Sequence, residues 1–201
     1  MENGELHIIS TGKQSPETLA EIIEEIHPYI DAIHIREKTK TAKEIYEMVM
    51  LLIEKQVPIS KIIINDRLDV AYISKVHGIH LAYHSLPLDM VKENFTGFRV
   101  GCSVHTIGEA LHAQTQGADY VTFGHVFATN SKAGLAPRGL DQLRSITNSV
   151  SIPVIAIGGI NPINVRSVME SGAKGIAVMS GILEADNPLG VAKEYALNLS
   201  I

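Results

Sequence analysis

The stretch Val154-Ile155-Ala156-Ile157-Gly158-Gly159-Ile160-Asn161-Pro162 decides the fold of this chain. Its first four residues are all apolar, a pattern typical of a parallel strand that is covered on both faces. Two glycines and an Asn-Pro pair follow, which indicate a tight turn and the approach to a helix. A buried strand that leads through a glycine turn into a helix is the repeating unit of an α/β protein.

Short apolar runs and helix-length amphipathic segments alternate in this way along the whole chain. The predicted strands are Leu6–Ser10, Ala32–Glu37, Lys61–Asp66, Gly78–Ala82, Arg99–Val104, Asp119–Gly124, Pro153–Gly158 and Gly175–Ser180. The predicted helices are Pro16–His27, Ala42–Lys55, Asp69–Val76, Leu88–Asn94, Ile107–Gln116, Leu140–Asn148, Asn164–Glu170 and Leu189–Leu197. Eight such units predict an α/β fold, a single (β/α)8 TIM barrel domain over residues 1–201. An open doubly wound sheet is the alternative, and the count of eight favours the closed barrel.

Composition and charge exclude several classes of protein. The formal net charge of −5 argues against nucleic acid as a partner, because binding it requires a basic face. No apolar run approaches ~18 residues, so we expect no membrane span. The start Met1-Glu2-Asn3-Gly4-Glu5 lacks the basic and apolar regions of a signal peptide, so we expect a cytoplasmic protein. The single cysteine, Cys102, excludes an intrachain disulfide and offers no metal-binding spacing.

In a TIM barrel, functional residues collect where strands end. The seventh and eighth strands are followed by Gly158-Gly159 and by Ser180-Gly181. Glycines let the backbone approach an anion and direct its N–H groups toward it, and Ser180 adds a hydroxyl donor. Tight turns with close helix packing are the structural alternative. Glycines at both of these strand ends favour a phosphate site formed by Gly158, Gly159, Ser180 and Gly181.

The second and third strands end in polar residues. His34, Arg36 and Lys38 alternate with apolar residues and therefore share one face. Because a charge that points into a barrel mouth needs a partner, we predict that Arg36 and Lys38 bind an anionic ligand. Asn65 is a further candidate for substrate contact. Asp66 has three open roles, which are metal binding, neutralisation of Arg36 and capping of the next helix.

The sixth strand leads into the longest loop of the chain, residues 125–138. His125 comes directly after the strand, where a side chain with an intrinsic pKa near ~6.5 is well placed for proton transfer. The loop then offers hydrogen-bond donors for an anionic substrate at Thr129, Ser131 and Lys132. A solvated surface loop is the alternative interpretation.

These motifs, in this order and spacing, resemble the thiamin phosphate synthase superfamily over essentially the full chain. The matching segments are Ile33-His34-Ile35-Arg36-Glu37-Lys38, Asn65-Asp66-Arg67-Leu68-Asp69-Val70-Ala71, Gly101-Cys102-Ser103-Val104-His105-Thr106, Gly117-Ala118-Asp119-Tyr120-Val121, Thr129-Asn130-Ser131-Lys132, Ile157-Gly158-Gly159-Ile160 and Val178-Met179-Ser180-Gly181-Ile182.

The resemblance also shows where this chain departs from the synthase pattern. The synthase joins a pyrimidine pyrophosphate to a thiazole phosphate with Mg2+, which is held by an aspartate that matches Asp66 and by a second acidic residue after strand four. This chain has Ala82-Tyr83-His84-Ser85 there, so the second carboxylate is missing. His34 replaces the glutamine of the strand-two motif, and Gly124-His125 replaces Gly-Pro. These departures match the TenI-type thiazole tautomerases.

The TenI-type resemblance implies an isomerase of thiamin biosynthesis that converts a carboxythiazole phosphate tautomer to its aromatic form. His125 would transfer the proton, and no metal or other cofactor is expected. Gly159, Ser180 and Gly181 would hold the phosphate, while Arg36, Lys38 or Lys132 would hold the carboxylate. The expected partners are a small phosphorylated thiazole and a second copy in a homodimer. The alternatives are the Mg-dependent synthase itself, a non-catalytic thiazole-phosphate-binding regulatory protein, and another phosphate-binding barrel isomerase or aldolase.

Overall fold

A computed structural model describes residues 4–200 and shows eight parallel strands that close into a barrel. Each strand pairs with the next along the chain, and the eighth returns to pair with the first. The strands are β1 (Glu5–Ile9), β2 (Ala32–Ile35), β3 (Ile62–Asn65), β4 (Gly78–Leu81), β5 (Arg99–Val104), β6 (Tyr120–Gly124), β7 (Val154–Ile157) and β8 (Gly175–Val178). The predicted (β/α)8 TIM barrel is confirmed. The domain extent of 1–201 stays a prediction, since residues 1–3 and 201 lie outside the described residues.

Nine α-helices lie within residues 4–200. They are α1 (Pro16–Ile26), α2 (Ala42–Glu54), α3 (Leu68–Ser74), α4 (Leu88–Asn94), α5 (Ile107–Thr115), α6 (Gly139–Ser149), α7 (Val165–Met169), α8 (Ser180–Leu183) and α9 (Pro188–Leu199). The eight predicted helices all form, with no end shifted by more than two residues. The sequence does not predict α8, because four residues are too few for a helical period to show. The predicted strand Gly175–Ser180 therefore ends early, at Val178.

Side-chain caps explain where the first helices begin. The Ser15 hydroxyl accepts a hydrogen bond from the backbone N–H of Thr18, and Pro16 occupies the first turn of α1. Thr41 and Glu44 form a reciprocal capping box at the start of α2. Such caps fix the point at which each loop above the barrel turns into its helix.

The core has two parts. The larger part lies between the barrel and the helices and is lined by branched residues of nearly every strand and helix. The smaller part fills the barrel interior with Ile9, Ala32, Ile63, Tyr120, Ile155 and Ala177. Buried polar side chains share this interior, among them His7, His34 and His80. No helix within residues 4–200 is long and apolar enough to cross a membrane.

Candidate active site

A cleft of about 470 Å³ opens at the carboxyl ends of the strands, between the loop after β6 and the ends of β7 and β8. It brings together four residues that the sequence predicts for the site, namely Thr129, Lys132, Gly159 and Ser180. The other residues that line it are Ala128, Asn130, Ala133, Gly134 and Leu135. The cleft thus combines a glycine turn, two hydroxyls and one cation, which is a set of groups suited to a phosphorylated ligand.

Gly158 and Gly159 let the β7 end pass directly under the loop after β6. Both have positive φ, +102° and +65°. A Cβ at Gly158 would overlap the Cβ of His125, and one at Gly159 would overlap the carbonyl oxygen of Ala128. Both positions therefore require glycine, for conformation and for space. Gly158 is half-buried beneath the loop and does not line the cleft, so its predicted ligand contact stays a prediction.

The loop from 125 to 138 is fastened at both of its ends. On one side, the backbone N–H groups of Val126 and Phe127 donate to the carbonyl oxygens of Ile157 and Gly158, each at 2.9 Å. On the other side, the Arg138 guanidinium donates from Nε to the carbonyl oxygen of Gly124 at 3.1 Å. Its second nitrogen donates to the carbonyl oxygen of His105 at 2.9 Å. These bonds hold the base of the loop against two neighbouring strands.

His125 is almost fully buried at the base of this loop. Its Nε2 lies 3.3 Å from the carbonyl oxygen of Leu135. Since a carbonyl only accepts hydrogen bonds, this contact requires a hydrogen on Nε2. Leu135 lines the cleft whereas His125 does not, so the predicted proton-transfer residue faces the underside of the loop. Its role at a substrate remains a prediction.

Asp66 meets donors of the loop after β4. The Ser85 hydroxyl donates to one of its carboxylate oxygens, and His84 Nε2 lies 3.1 Å from the other. Asp66 itself has φ +62°, a left-handed conformation that Asp tolerates better than most residues. Within residues 4–200, no group of three or more His, Cys, Asp or Glu residues could hold a metal ion.

The remaining predicted residues lie around the mouth but outside the cleft. Arg36 and Lys38 follow β2, and among residues 4–200 no carboxylate forms a salt bridge with either one. Burial is the main cause that lowers the pKa of His80 to about 3; the charge of Asp66 opposes this shift and that of Arg36 adds to it. Ser131 and Gly181 are exposed neighbours of residues that line the cleft.

Several polar residues of this region escape the sequence analysis. Arg138 was not predicted because its partners are backbone carbonyls, which leave no sequence pattern. Ser103 lies on β5, where its hydroxyl is 2.9 Å from Nε2 of the buried His80. Tyr120 places its hydroxyl 3.1 Å from the other ring nitrogen of His80. The available signal was the presence of histidines in otherwise apolar strands, which predicts polar partners across the barrel.

The chain matches a known protein family and is similar to named proteins and to a solved structure. The family model described as "Thiamine monophosphate synthase" matches residues 6–182. A thiamine-phosphate synthase of Chloroflexus aurantiacus is 41% identical over 70% of this chain and 65% of its own length. One of Pyrococcus furiosus is 36% identical over 90% of this chain and 88% of its own length. The solved thiamine phosphate pyrophosphorylase from Pyrococcus furiosus has a TM-score of 0.84 at 33% identity and covers 97% of this chain and 95% of that one.

These findings confirm the superfamily resemblance and correct the predicted activity. The TenI-type branch is not specifically supported, and the predicted thiazole tautomerase, an isomerase, is wrong. The named relatives are thiamine-phosphate synthases, which are transferases. The first relatives match over slightly less than two thirds of their own length, 65–66%. Three departures, in strand two and after strands four and six, had favoured the tautomerase, whereas the remainder of the chain resembles the synthases.

Proposed function

The chain belongs to the thiamine monophosphate synthase family, as the match over residues 6–182 shows, and from this premise we propose that it is a thiamine-phosphate synthase. Its reaction would join a pyrimidine pyrophosphate to a thiazole phosphate and release pyrophosphate. The observation that carries the proposal is the cleft at the ends of β7 and β8, found in a chain whose named relatives are synthases. That position suits the phosphate of the thiazole substrate.

The two anionic groups would occupy opposite sides of the mouth. Gly159 and Ser180 offer a backbone turn and a hydroxyl to the thiazole phosphate, and Lys132 adds a positive charge. Arg36 and Lys38 follow β2, across the barrel from β6 and β7. As the carbon–nitrogen bond forms and the bond to pyrophosphate breaks, negative charge builds on the leaving group. Arg36 and Lys38, which have no salt bridge among the described residues, would stabilise that charge.

Mg2+ is implied by the family, and proteins hold this ion through one or two carboxylates together with substrate phosphates. Here Asp66 is a single carboxylate, and Ser85 and His84 contact its two oxygens. We therefore assign no step of the reaction to a metal. This same observation favours one further candidate, a non-catalytic protein that binds thiazole phosphate. In that case the cleft would be retained while the transfer chemistry was absent.

The test supplies the purified protein with both substrates, with MgCl2 and with EDTA, and measures thiamin phosphate and pyrophosphate by chromatography. A synthase gives equal amounts of the two products. We expect Arg36→Met to lower kcat ~10²-fold, because it removes a charge that stabilises the leaving group. Lys43→Met, which changes an exposed lysine on α2, is the matched control and should turn over normally. Binding of thiazole phosphate in calorimetry without any product would contradict the synthase and support the binding protein.

Two further expectations belong to this proposal. The first is a homodimer, for which light scattering after size-exclusion chromatography should give the mass of two chains. The second is a cytoplasmic location, which fits a substrate that is phosphorylated and therefore charged. A fluorescent fusion that follows a cytoplasmic marker would agree with it.

A further inference from the structure

Helix α3 carries large apolar side chains on its outer side as well as on its inner side. The inner residues Leu68, Val70 and Ala71 are buried against the barrel. On the outer side, Tyr72 is 67% and Ile73 is 68% exposed. No other helix within residues 4–200 exposes two large apolar side chains by more than half. Because a helix that is apolar on both sides is normally covered on both sides, the outer side of α3 indicates a contact with another surface.

The exposed apolar surface extends from α3 onto its two neighbouring helices. Tyr46 of α2 and Ile73 of α3 line a shared groove of about 260 Å³. Toward α4, the ring of Tyr72 packs edge-on against that of Phe95, with the ring centroids 6.2 Å apart. Met90 of α4 is 54% exposed. We call Tyr46, Tyr72, Ile73 and Met90 the α3 face. Exposed apolar patches of about a few hundred Å² often mark a contact with another molecule.

Oppositely charged residues stand at the two ends of α3. Asp69 lies in the first turn and Lys75 directly follows the last residue of the helix, and both are exposed. The Asp69 carboxylate accepts hydrogen bonds from the Arg67 guanidinium, but the side chain is still 60% exposed. Each carboxylate oxygen has two lone pairs, so Asp69 has room for a further donor. Among residues 4–200, no carboxylate lies within salt-bridge distance of Lys75.

This order of charges makes the outer side of α3 complementary to its own reverse. In a symmetric dimer, each contact between two residues occurs twice around the twofold axis. When two α3 helices lie antiparallel, Asp69 of one copy meets Lys75 of the partner subunit. Tyr72 is halfway between these positions in the sequence, so the two Tyr72 side chains meet at the axis. The contact then has an apolar centre and a charged rim, as protein interfaces do.

We propose that the α3 face is the contact between two copies of this chain, with the α3 helices antiparallel across a twofold axis at Tyr72. The inference rests on the homodimer expected under the proposed function and names its interface, but it does not depend on the transfer reaction. A second copy fits better than a different protein, because the charges of α3 match their own reversed order. The face is small, so we expect the dimer to dissociate at about micromolar concentrations.

Sedimentation velocity of the full chain over a range of concentrations measures the dissociation constant of the dimer. Ile73→Glu should raise this constant at least about 30-fold, because it places a charge in the apolar centre of the contact. Leu197→Glu is the matched control, since Leu197 is 75% exposed on α9, and it should dimerise normally. Circular dichroism verifies that both variants are folded. A dimer that Ile73→Glu leaves intact would overturn the proposal.

Charge reversal tests the antiparallel arrangement. Asp69→Lys alone and Lys75→Asp alone each bring like charges together across the axis, and each should raise the dissociation constant roughly tenfold. The double variant brings opposite charges together again and should recover most of the lost affinity. Asp141→Lys, which changes an exposed acidic residue in the first turn of α6, is the control and should have no effect. A double variant that is as weak as the single variants would overturn the antiparallel contact.

Hydrogen exchange in the unaltered protein locates the contact without any substitution. Amide exchange in residues 68–75 should slow when the protein concentration rises above the dissociation constant, whereas exchange in residues 189–199 of α9 should not change. A dimer that forms without protection of residues 68–75 would reject this face and retain the homodimer. A chain that stays monomeric at every concentration would reject both. Neither result bears on the synthase assay, so failure of the interface and failure of the proposed reaction are distinguishable.

Discussion

Gly159 joins the two halves of the candidate site, because the β7 end and the loop after β6 meet at its Cα. Its φ of +65° is one that side chains rarely adopt. An added Cβ would also come within 2.8 Å of the Phe127 Cβ. The residue therefore controls how closely the loop can approach the ligand.

We expect Gly159→Ala to lower the affinity for thiazole phosphate at least about tenfold and to destabilise the fold by roughly 1–3 kcal/mol. The loop must move away from the cleft to admit the methyl group. Calorimetry and urea unfolding measure the two effects. Gly97→Ala is the control, since Gly97 has φ +92° and nothing within 4 Å of its Cβ position. A loss of stability without a loss of affinity, as expected for Gly97→Ala, would contradict this role for Gly159.

At this scale the sequence predicts backbone requirements better than side-chain directions. Gly159 and Ser180 were expected in the site because glycine and serine at strand ends are local signals, and both line the cleft. The direction of His125 depends on how the following ten residues fold back, so its contact with Leu135 could not be predicted. The partners of Asp66 come from the next βα loop, beyond the reach of any local pattern.

At the scale of elements, the loop after β6 depends on Arg138. Its guanidinium donates to the carbonyl oxygens of Gly124 and His105. Its backbone N–H donates to the carbonyl oxygen of His125 at 3.0 Å. Hydrogen bonds from a charged donor are each worth ~1.5–3 kcal/mol. Arg138, the last residue of the loop before α6, therefore holds the base of the loop in place.

We expect Arg138→Met to speed amide hydrogen exchange in residues 125–138 and to weaken thiazole phosphate binding several-fold, because the loop base opens. Exchange measured by mass spectrometry and a binding titration test this. Arg144→Met is the control, since Arg144 is exposed on α6 and lies 3.7 Å from Asp141. If both variants exchange like the unaltered protein, the fastening by Arg138 is unimportant.

Helices and strands were predictable wherever they are long enough for a hydrophobic period to show in the sequence. Helices α1 and α2 are long, amphipathic and capped by Ser15 and Thr41, and their predicted starts agree with the structure. Six of the eight strands were predicted to end one or two residues too late, as at β2, whereas the predicted ends of β5 and β6 agree with the structure. Helix α8 has no sequence signal of its own.

At the scale of the whole molecule, the buried histidines make stability depend on pH. The pKa of His80 falls from 6.5 to about 3 on folding, and that of His34 is also lowered, in both cases mainly by burial. At a pH between the folded and the unfolded pKa of such a histidine, the unfolded chain binds a proton there and the folded chain does not. Stability is therefore complete above about pH 6.5 and falls as the pH drops toward the folded-state pKa.

We expect the free energy of unfolding to fall by roughly 1.4 kcal/mol per pH unit for each of the two histidines between about pH 6 and 5. The pKa of Glu5 lies at about 2, so its contribution is lost at lower pH. Urea unfolding at several pH values gives the slope. His80→Gln should remove about half of it, whereas His112→Gln, an exposed position on α5, should leave it unchanged. Identical slopes in all three proteins would refute the assignment.

The pairing of β1 with β8 has a consequence for protein synthesis. Glu5 is opposite Gly175, and Ile8 is opposite Val178. One edge of β1, the first strand, therefore stays unpaired until β8, the last strand, has been synthesised. While the ribosome is still translating residues between them, β1 and the newest strand both present unpaired edges that can join a neighbouring nascent chain. The barrel therefore closes only after residues 175–178 have left the exit tunnel. A pause in translation before that point would prolong exposure of these edges and favour aggregation on polysomes.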